Sequence, residues 1–349
     1  MSRINSIIRH IDTSKLGVEV APYFAPIVAK RDGGKIMSLD IFDENKLREM
    51  ARNDPSILTE WVDRIEPVDI VGDASNIGHM IQERGLSGKI AYIVSSHNFE
   101  HLPNPIKFLR GCSTALEVGG ILSMAVPDCR ACFDHFRMPT RLSDWIGAFH
   151  RDDKQPNAET LLDFWANQGA YVVDGKNSVG CDIKTGQLDN FIAVGDLQSA
   201  YGRYLQEVNH QPSYTDAHCT VMFPETLELL LRDCAHLGLI DLEIIEISQT
   251  AGLEFYVHLR KTTSLTTRDA ATYLSQRQDL LRRISRHLGA APFLTTQIGV
   301  SAPVVGTLDD RVFNISAGIK SGLRAIFGQA VYQRVRTLNK ARLARRHRR

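Results

Sequence analysis

Short runs of aliphatic residues recur along the first half of the chain, and between several of them the apolar positions step by three or four. Leu16–Val20, Lys35–Asp40, Val68–Val71, Lys89–Ser95 and Gly120–Val126 read as five strands, most of them bounded by a Pro, Gly or Asp turn signal. The clearest helix spans Asn104 to Val118. There Ile106, Leu109, Cys112 and Leu116 form one stripe, Pro105 opens the first turn, and Gly119-Gly120 follows the end. Strands alternating with helices predict a mostly parallel, doubly wound α/β sheet.

Residues 129–215 break the pattern. They are polar, carry many aromatics and turn residues, and show no sustained period, so they read as an insertion over one face of the sheet. Short helices are expected at Leu161–Trp165 and at Leu197–Tyr204. Order returns with a helix over Pro224–Leu237, and two strands follow, Asp241–Ser248 and Leu253–Arg260. The turn between them is too short for a crossover helix, so these strands must be antiparallel neighbours. The expected sheet therefore has seven strands, five parallel units ending in a helix and an antiparallel hairpin.

This gives an α/β domain over residues 1–262 and a helical extension over 263–349. The extension divides into a charged helix at Thr267–Leu288, a linker at 289–310 and a basic amphipathic tail at 319–349. In the tail Ile319, Leu323, Phe327, Val331, Val335 and Leu338 lie on one stripe.

Charge changes the picture of that tail. The 349 residues hold 41 Lys and Arg against 40 Asp and Glu, a net charge of +1. Ten of the basic residues and no acid fall in 320–349, which leaves 31 basic against 40 acidic residues, or −9, in the rest. The near-neutral total conceals an acidic body with a basic end. Three readings stand for that end: a solvated charge run, a helix lying on an anionic membrane surface, or a site for nucleic acid or an acidic partner protein. Nucleic acid is not expected as a partner of the acidic body. No apolar stretch is long enough to span a membrane, the first residues lack a signal-peptide core, and six scattered cysteines do not form a disulfide framework. A cytoplasmic protein, peripheral at the membrane if the tail binds there, is the expectation.

Ligands of open α/β sheets bind outside the carboxyl ends of the strands. Here those ends carry Glu19-Val-Ala21-Pro22, Asp40, Asp73 and Ser95-Ser96-His97. A carboxylate ending the second strand, 21 residues after Glu19, offers paired acceptor oxygens to the adjacent hydroxyls of a ribose. The first loop has no glycine between Gly17 and Gly33, so it lacks the G-x-G-x-x-G cradle that a dinucleotide diphosphate requires. A nucleoside cofactor without phosphate needs no such cradle.

Gly17-Val-Glu-Val-Ala-Pro-Tyr-Phe-Ala-Pro-Ile27 resembles the first motif of class I S-adenosylmethionine-dependent methyltransferases of the type 11 kind. Val94-Ser-Ser-His-Asn-Phe-Glu-His-Leu-Pro-Asn-Pro105 is similar to their fourth-strand motif, and Phe108–Pro127 to their next helix and fifth strand. The resemblance covers residues 15–135 and 220–261, and it departs from the family at Ala21, where glycine is usual. It implies S-adenosylmethionine as cofactor, with Glu19 and the Ala21-Pro22 loop bordering the methionine part. Asp40 would hold the ribose, Asp73 and Ala74 would face the adenine, and Ser96 and His97 would line the floor beside the methyl. Such domains accompany glycosyltransferases in surface-polysaccharide synthesis, which implies a sugar hydroxyl or lipid-linked glycan as acceptor.

A hydroxyl acceptor requires a base, and His97, His101 and Asp128 are the candidates, with a structural role in the turn into Leu102-Pro103 also open to His101. Asp128 also has a structural role open to it, pairing with Arg130. Asp216-x-His218, with His210 nearby, is either a metal or acid–base pair or a brace that fixes the insertion. Cys129-Arg-Ala-Cys132 has metal or redox spacing but no second pair to complete a site, and no metal is expected. Phe133, His135, Phe136, Trp145 and Trp165 either line an acceptor pocket or pack as core. Two competitors remain. One is a nicotinamide-dependent oxidoreductase, and the other is a methyltransferase-like domain that binds without catalysis.

Overall fold

The computed structural model describes residues 2–55, 57–209, 214–263 and 270–289. The described strands are β1 (Gly17–Val20), β2 (Ile36–Asp40), β3 (Ile70–Val71), β4 (Ile90–Ser96), β5 (Leu116–Pro127), β6 (Gly169–Val173), β7 (Lys176–Ser178), β8 (Phe191–Ala193), β9 (Leu242–Ile247) and β10 (Glu254–Lys261). The described helices are α1 (Arg3–Ile7), α2 (Glu44–Arg52), α3 (Thr59–Val62), α4 (Ile77–Glu83), α5 (Pro105–Ala115), α6 (Leu142–Arg151), α7 (Ala158–Ala166), α8 (Leu197–Asn209), α9 (Pro224–His236) and α10 (Ala270–His287).

Seven strands form one sheet in the order β3-β2-β1-β4-β5-β10-β9. β1 pairs in parallel with β2 and β4, β2 with β3, and β4 with β5. β10 runs antiparallel to β9, as the short turn between them requires, and also antiparallel to β5. Both faces of the central strands are buried. Val18, Val20 and Ile93 join Leu109, Met124 and Leu227 in the larger core, whereas Tyr92 and Val94 pack with Ile7 and Ile36 on the opposite face. That two-sided burial is why these strands appear in the sequence as continuous apolar runs.

Helix α5 shows how local chemistry sets an element. The Asn104 side chain caps it by accepting from Lys107 N at 3.1 Å, and Pro105 occupies the first turn. The helix stops at Ala115, three residues before the expected end, because Leu116 already adopts extended backbone and enters β5. α4 crosses α5 at Gly78 and Gly111. A Cβ on Gly78 would lie 2.8 Å from the Gly111 Cα, so this crossing requires glycine.

The region between β5 and α9 holds more order than its polar sequence announces. It contains α6, α7, α8 and a three-stranded antiparallel sheet ordered β7-β6-β8. α6 is not an excursion from the main body. Trp145 is buried against Phe99, with ring centroids 5.7 Å apart, and belongs to the main core. The extension begins with α10, which lies along α9: Tyr273 and Arg277 bind Asp233, and Arg283 and His287 reach Glu225. The expected linker, from residue 290 on, and the tail at 319–349 lie outside the described residues. No described helix is long and apolar enough to cross a membrane.

Candidate cofactor cleft and the histidine cluster beside it

Strand register brings the carboxyl ends of β1, β2 and β3 together. Val20 is aligned with Leu39 and with Ser95, and Asp40 with Val71, so the residues that follow face a common cleft. Ala21, Asp40, Asp73 and Ala74 line it, together with Asn98 and His101. Lys154, Tyr214 and Asp216 complete the wall from segments far along the chain.

The loop after β1 keeps a glycine-like backbone without glycine. Ala21 has φ 53° and Tyr23 φ 48°, both in the left-handed region where a Cβ is strained. Two contacts hold it there. Ala21 N donates to Leu39 O at 2.7 Å, and the Tyr23 ring is buried among Leu47, Ala51 and Ile65. Asp40 is 1% exposed, and its Oδ1 accepts from Phe42 N at 3.3 Å. Asp73 caps the following turn by accepting from Ser75 N at 2.8 Å.

Glu19 is on the opposite face of β1 from Val18 and Val20 and does not line the cleft. Its carboxylate accepts from Ile27 N at 2.7 Å and Val28 N at 3.1 Å, folding the loop back on the strand. Burial pushes this carboxyl up to about 7, against the opposing pull of those two donors. Pro22 is half-buried outside the lining. Ser96 also points elsewhere, its Oγ accepting from Arg3 Nη2 at 2.7 Å.

His97 and Asp128 are likewise drawn away from the cleft. His97 is 2% exposed, with Nε2 2.8 Å from Glu254 and Nδ1 3.3 Å from Glu100. Burial alone would lower its pKa, but Glu100 and Glu254 more than offset this and raise it. Asp128 is fully buried and taken up by Arg130, at 2.6 Å, and by the Thr250 hydroxyl, at 2.5 Å. This is the structural pairing with Arg130 that the sequence left open. Cys129 and Cys132 are both buried free thiols with raised pKa values, a consequence first of burial.

The residues read as a turn and a brace occupy the cleft wall instead. Cys219 N and Thr220 N donate to Glu100 O at 2.7 and 3.0 Å, laying the segment after Tyr214 over the fourth-strand loop. That brings His101 Nδ1 to 3.3 Å from Asp216. The His101 and His218 rings meet edge to face at 4.6 Å, and His218 Nδ1 is hydrogen-bonded to Asp134. The Asp216-x-His218 spacing marked one half of this cluster, and nothing local pointed to its partners. His210 lies outside the described residues. Of the aromatics, Trp145 is core, and Phe133 packs on Phe164 and on the His218 ring.

No family model and no curated protein matches the sequence. Solved structures that overlay on it include a SAM-dependent methyltransferase from Methanosarcina mazei, 13% identical, covering 76% of this chain and 99% of that one, TM-score 0.35. The CcbJ methyltransferase from Streptomyces caelestis is 10% identical over 75% of this chain and 97% of its own, TM-score 0.34. A protein assigned as a zinc-dependent alcohol dehydrogenase from Rhodobacter sphaeroides is 10% identical over 74% and 89%, TM-score 0.41. At TM-scores below 0.5 these overlays carry no weight for chemistry. The order and direction of the strands are sufficient for the fold: five parallel strands closed by an antiparallel pair whose last strand inserts beside β5 make this a Rossmann-like class I methyltransferase fold.

Proposed function

We propose that the chain is an S-adenosylmethionine-dependent methyltransferase whose acceptor is a hydroxyl of a sugar or lipid-linked glycan. The observation that carries this reading is Asp40. A buried carboxylate ends β2 at the cleft, beside a β1 loop that has no phosphate-binding glycine cradle. Such a site suits a nucleoside with a ribose diol and no diphosphate. The residues present fit the cofactor: the β1 loop keeps the left-handed turn even though Ala21 replaces glycine.

In this reading Asp40 accepts from the ribose hydroxyls, the Asp73-Ala74 turn faces the adenine, and the Ala21-Pro22 loop borders the methionine portion. The cofactor supplies an electrophilic methyl on a sulfonium. The protein has chiefly to hold the acceptor oxygen in line with it, and orientation alone supplies a large share of the rate. Asn98, His101, Tyr214 and Asp216 form the acceptor end of the cleft. The hydroxyl proton passes to Asp216, which faces the cleft where His97 and Asp128 do not. A second reading, a binding module without catalysis, draws on the side chains that Ala21 and Tyr23 carry in a glycine-type loop.

Calorimetry of the full-length protein with S-adenosylmethionine, S-adenosylhomocysteine and NADH tests the assignment. S-adenosylhomocysteine should bind, NADH should not, and Asp40→Ala should weaken binding about 10- to 100-fold, as loss of a charged hydrogen-bond acceptor does. Failure of both sulfur ligands to bind the folded protein overturns the reading. Binding of the cofactor with no turnover of any glycan acceptor favours the module.

A further inference from the structure

We propose that Glu100, His101 and His218 bind a divalent transition-metal ion of the zinc class at the acceptor end of the cleft. Each offers a ligand atom, and these atoms lie within 4.8 Å of one another, all on buried residues. Two ligands around one tetrahedral zinc stand about 3.3 Å apart, so small side-chain adjustments close the cluster. Two imidazoles with one carboxylate suit zinc, cobalt or manganese better than magnesium or calcium, which prefer all-oxygen sites.

The surroundings match those of a metal site rather than a simple ion pair. Metal-binding histidines usually give their second nitrogen to a carboxylate, which fixes the ring and raises its donor strength. Both histidines do so here. His218 Nδ1 is held by Asp134, which Arg137 holds in turn at 2.8 Å, and His101 Nδ1 faces Asp216 at 3.3 Å. His101 Nε2 lies 3.8 Å from Glu100 Oε1, on a carboxylate with no exposed surface. The chain contributes these donors from the turn after β4 and from the segment before α9, so an ion would fasten the two together. His101 also lines the cleft, which places the ion against the acceptor. Its use in orienting an acceptor oxygen rests on the methyltransferase reading, whereas ion binding does not.

The test uses untagged full-length protein stripped with chelator and contains no S-adenosyl ligand, so its outcome is independent of the cofactor assignment. Titration with Zn2+ by calorimetry, and with Co2+ by visible absorption, should show about one ion per chain with nitrogen–oxygen d–d bands. Glu100→Gln and His218→Gln should weaken Zn2+ binding at least 100-fold, and Asp134→Asn roughly 10- to 100-fold. Where a buried variant fails to fold, the unmodified protein still decides. Zn2+ at a hundredfold excess over Kd should raise its thermal midpoint by roughly 5–10 °C. The proposal is overturned by folded protein that takes up none of Zn2+, Co2+, Mn2+ or Ni2+ and shows no thermal shift. It is equally overturned by uptake that survives Glu100→Gln but is lost with His258→Gln. That result would place the ion on the other described cluster, His10, Glu246 and His258.

Discussion

His97 Nε2 and Glu254 Oε2 meet at 2.8 Å across the carboxyl end of β5, joining the loop after β4 to the first residue of β10. The contact ties the parallel half of the sheet to its antiparallel pair, and Arg3 adds a second cation to Glu254 at 2.8 Å. These partners hold the Glu254 carboxyl down at about 2, more than offsetting the effect of burial. Removing one member of a buried pair leaves the other charged and desolvated, at a cost of about 3–5 kcal/mol. Glu254→Ala should therefore lower the free energy of unfolding in urea by that amount. S-adenosylhomocysteine affinity, measured where the variant is still folded, should change less than threefold. A large loss of affinity without loss of stability would return His97 to the cleft floor.

Ala21 and Tyr23 share a left-handed backbone but not an environment. Ala21 is half-buried at the cleft, and Tyr23 fills a core pocket. Ala21→Gly relieves backbone strain while adding freedom to the unfolded chain, and the two effects nearly cancel to within about 1 kcal/mol. It also removes a methyl group from the wall of the proposed cofactor site. S-adenosylhomocysteine should bind several-fold more tightly, read by calorimetry. Tyr23→Gly relieves the same strain but empties the pocket, and should cost about 3–5 kcal/mol in denaturant unfolding.

Glu19 gives the fold a pH dependence of definite sign. Its folded pKa is raised from 4.5 to about 7, so the folded state holds this proton more tightly than the unfolded chain does. Its contribution is complete below about 4.5 and is lost as pH rises towards 7, with a magnitude on the order of 3 kcal/mol. Glu19→Gln removes that titration, although its amide sets an NH2 against the Ile27 or Val28 donor. The difference in thermal midpoint between the unmodified protein and Glu19→Gln should narrow steadily between pH 4.5 and 7. A constant difference would show that Glu19 stays ionised throughout.

Asp128 has every strong acceptor direction occupied by Arg130 and Thr250. Asp128→Asn should destabilise the fold by about 1–3 kcal/mol, the cost of leaving buried donors poorly paired. Once folded, the variant should retain methyl transfer within a few-fold. A thousandfold loss of turnover at unchanged stability would restore Asp128 to the chemistry.

The seven strands, the caps of α5 and the antiparallel pair were legible because each has a local cause. Strands buried on both faces must be apolar throughout, a helix must satisfy its first amides nearby, and a short turn permits only an antiparallel return. Asp40 and Asp73 were legible for the same reason, since a strand's end marks where its next side chain emerges. The α6 helix and the three-stranded sheet were not, because their apolar faces are narrow and interrupted by polar turns.

The sequence by itself determined which residues stand at the mouth of the sheet. Only the tertiary structure decided which of them face it. His97 is claimed by Glu254, 157 residues away, and Glu19 by the amides of its own loop. His101, read alone as part of a turn, gains Asp216 and His218 when the segment before α9 folds over it. A side chain's neighbours across such separations leave no period or spacing in the sequence, so burial and pairing, which set its charge and chemistry, exist only in the folded chain.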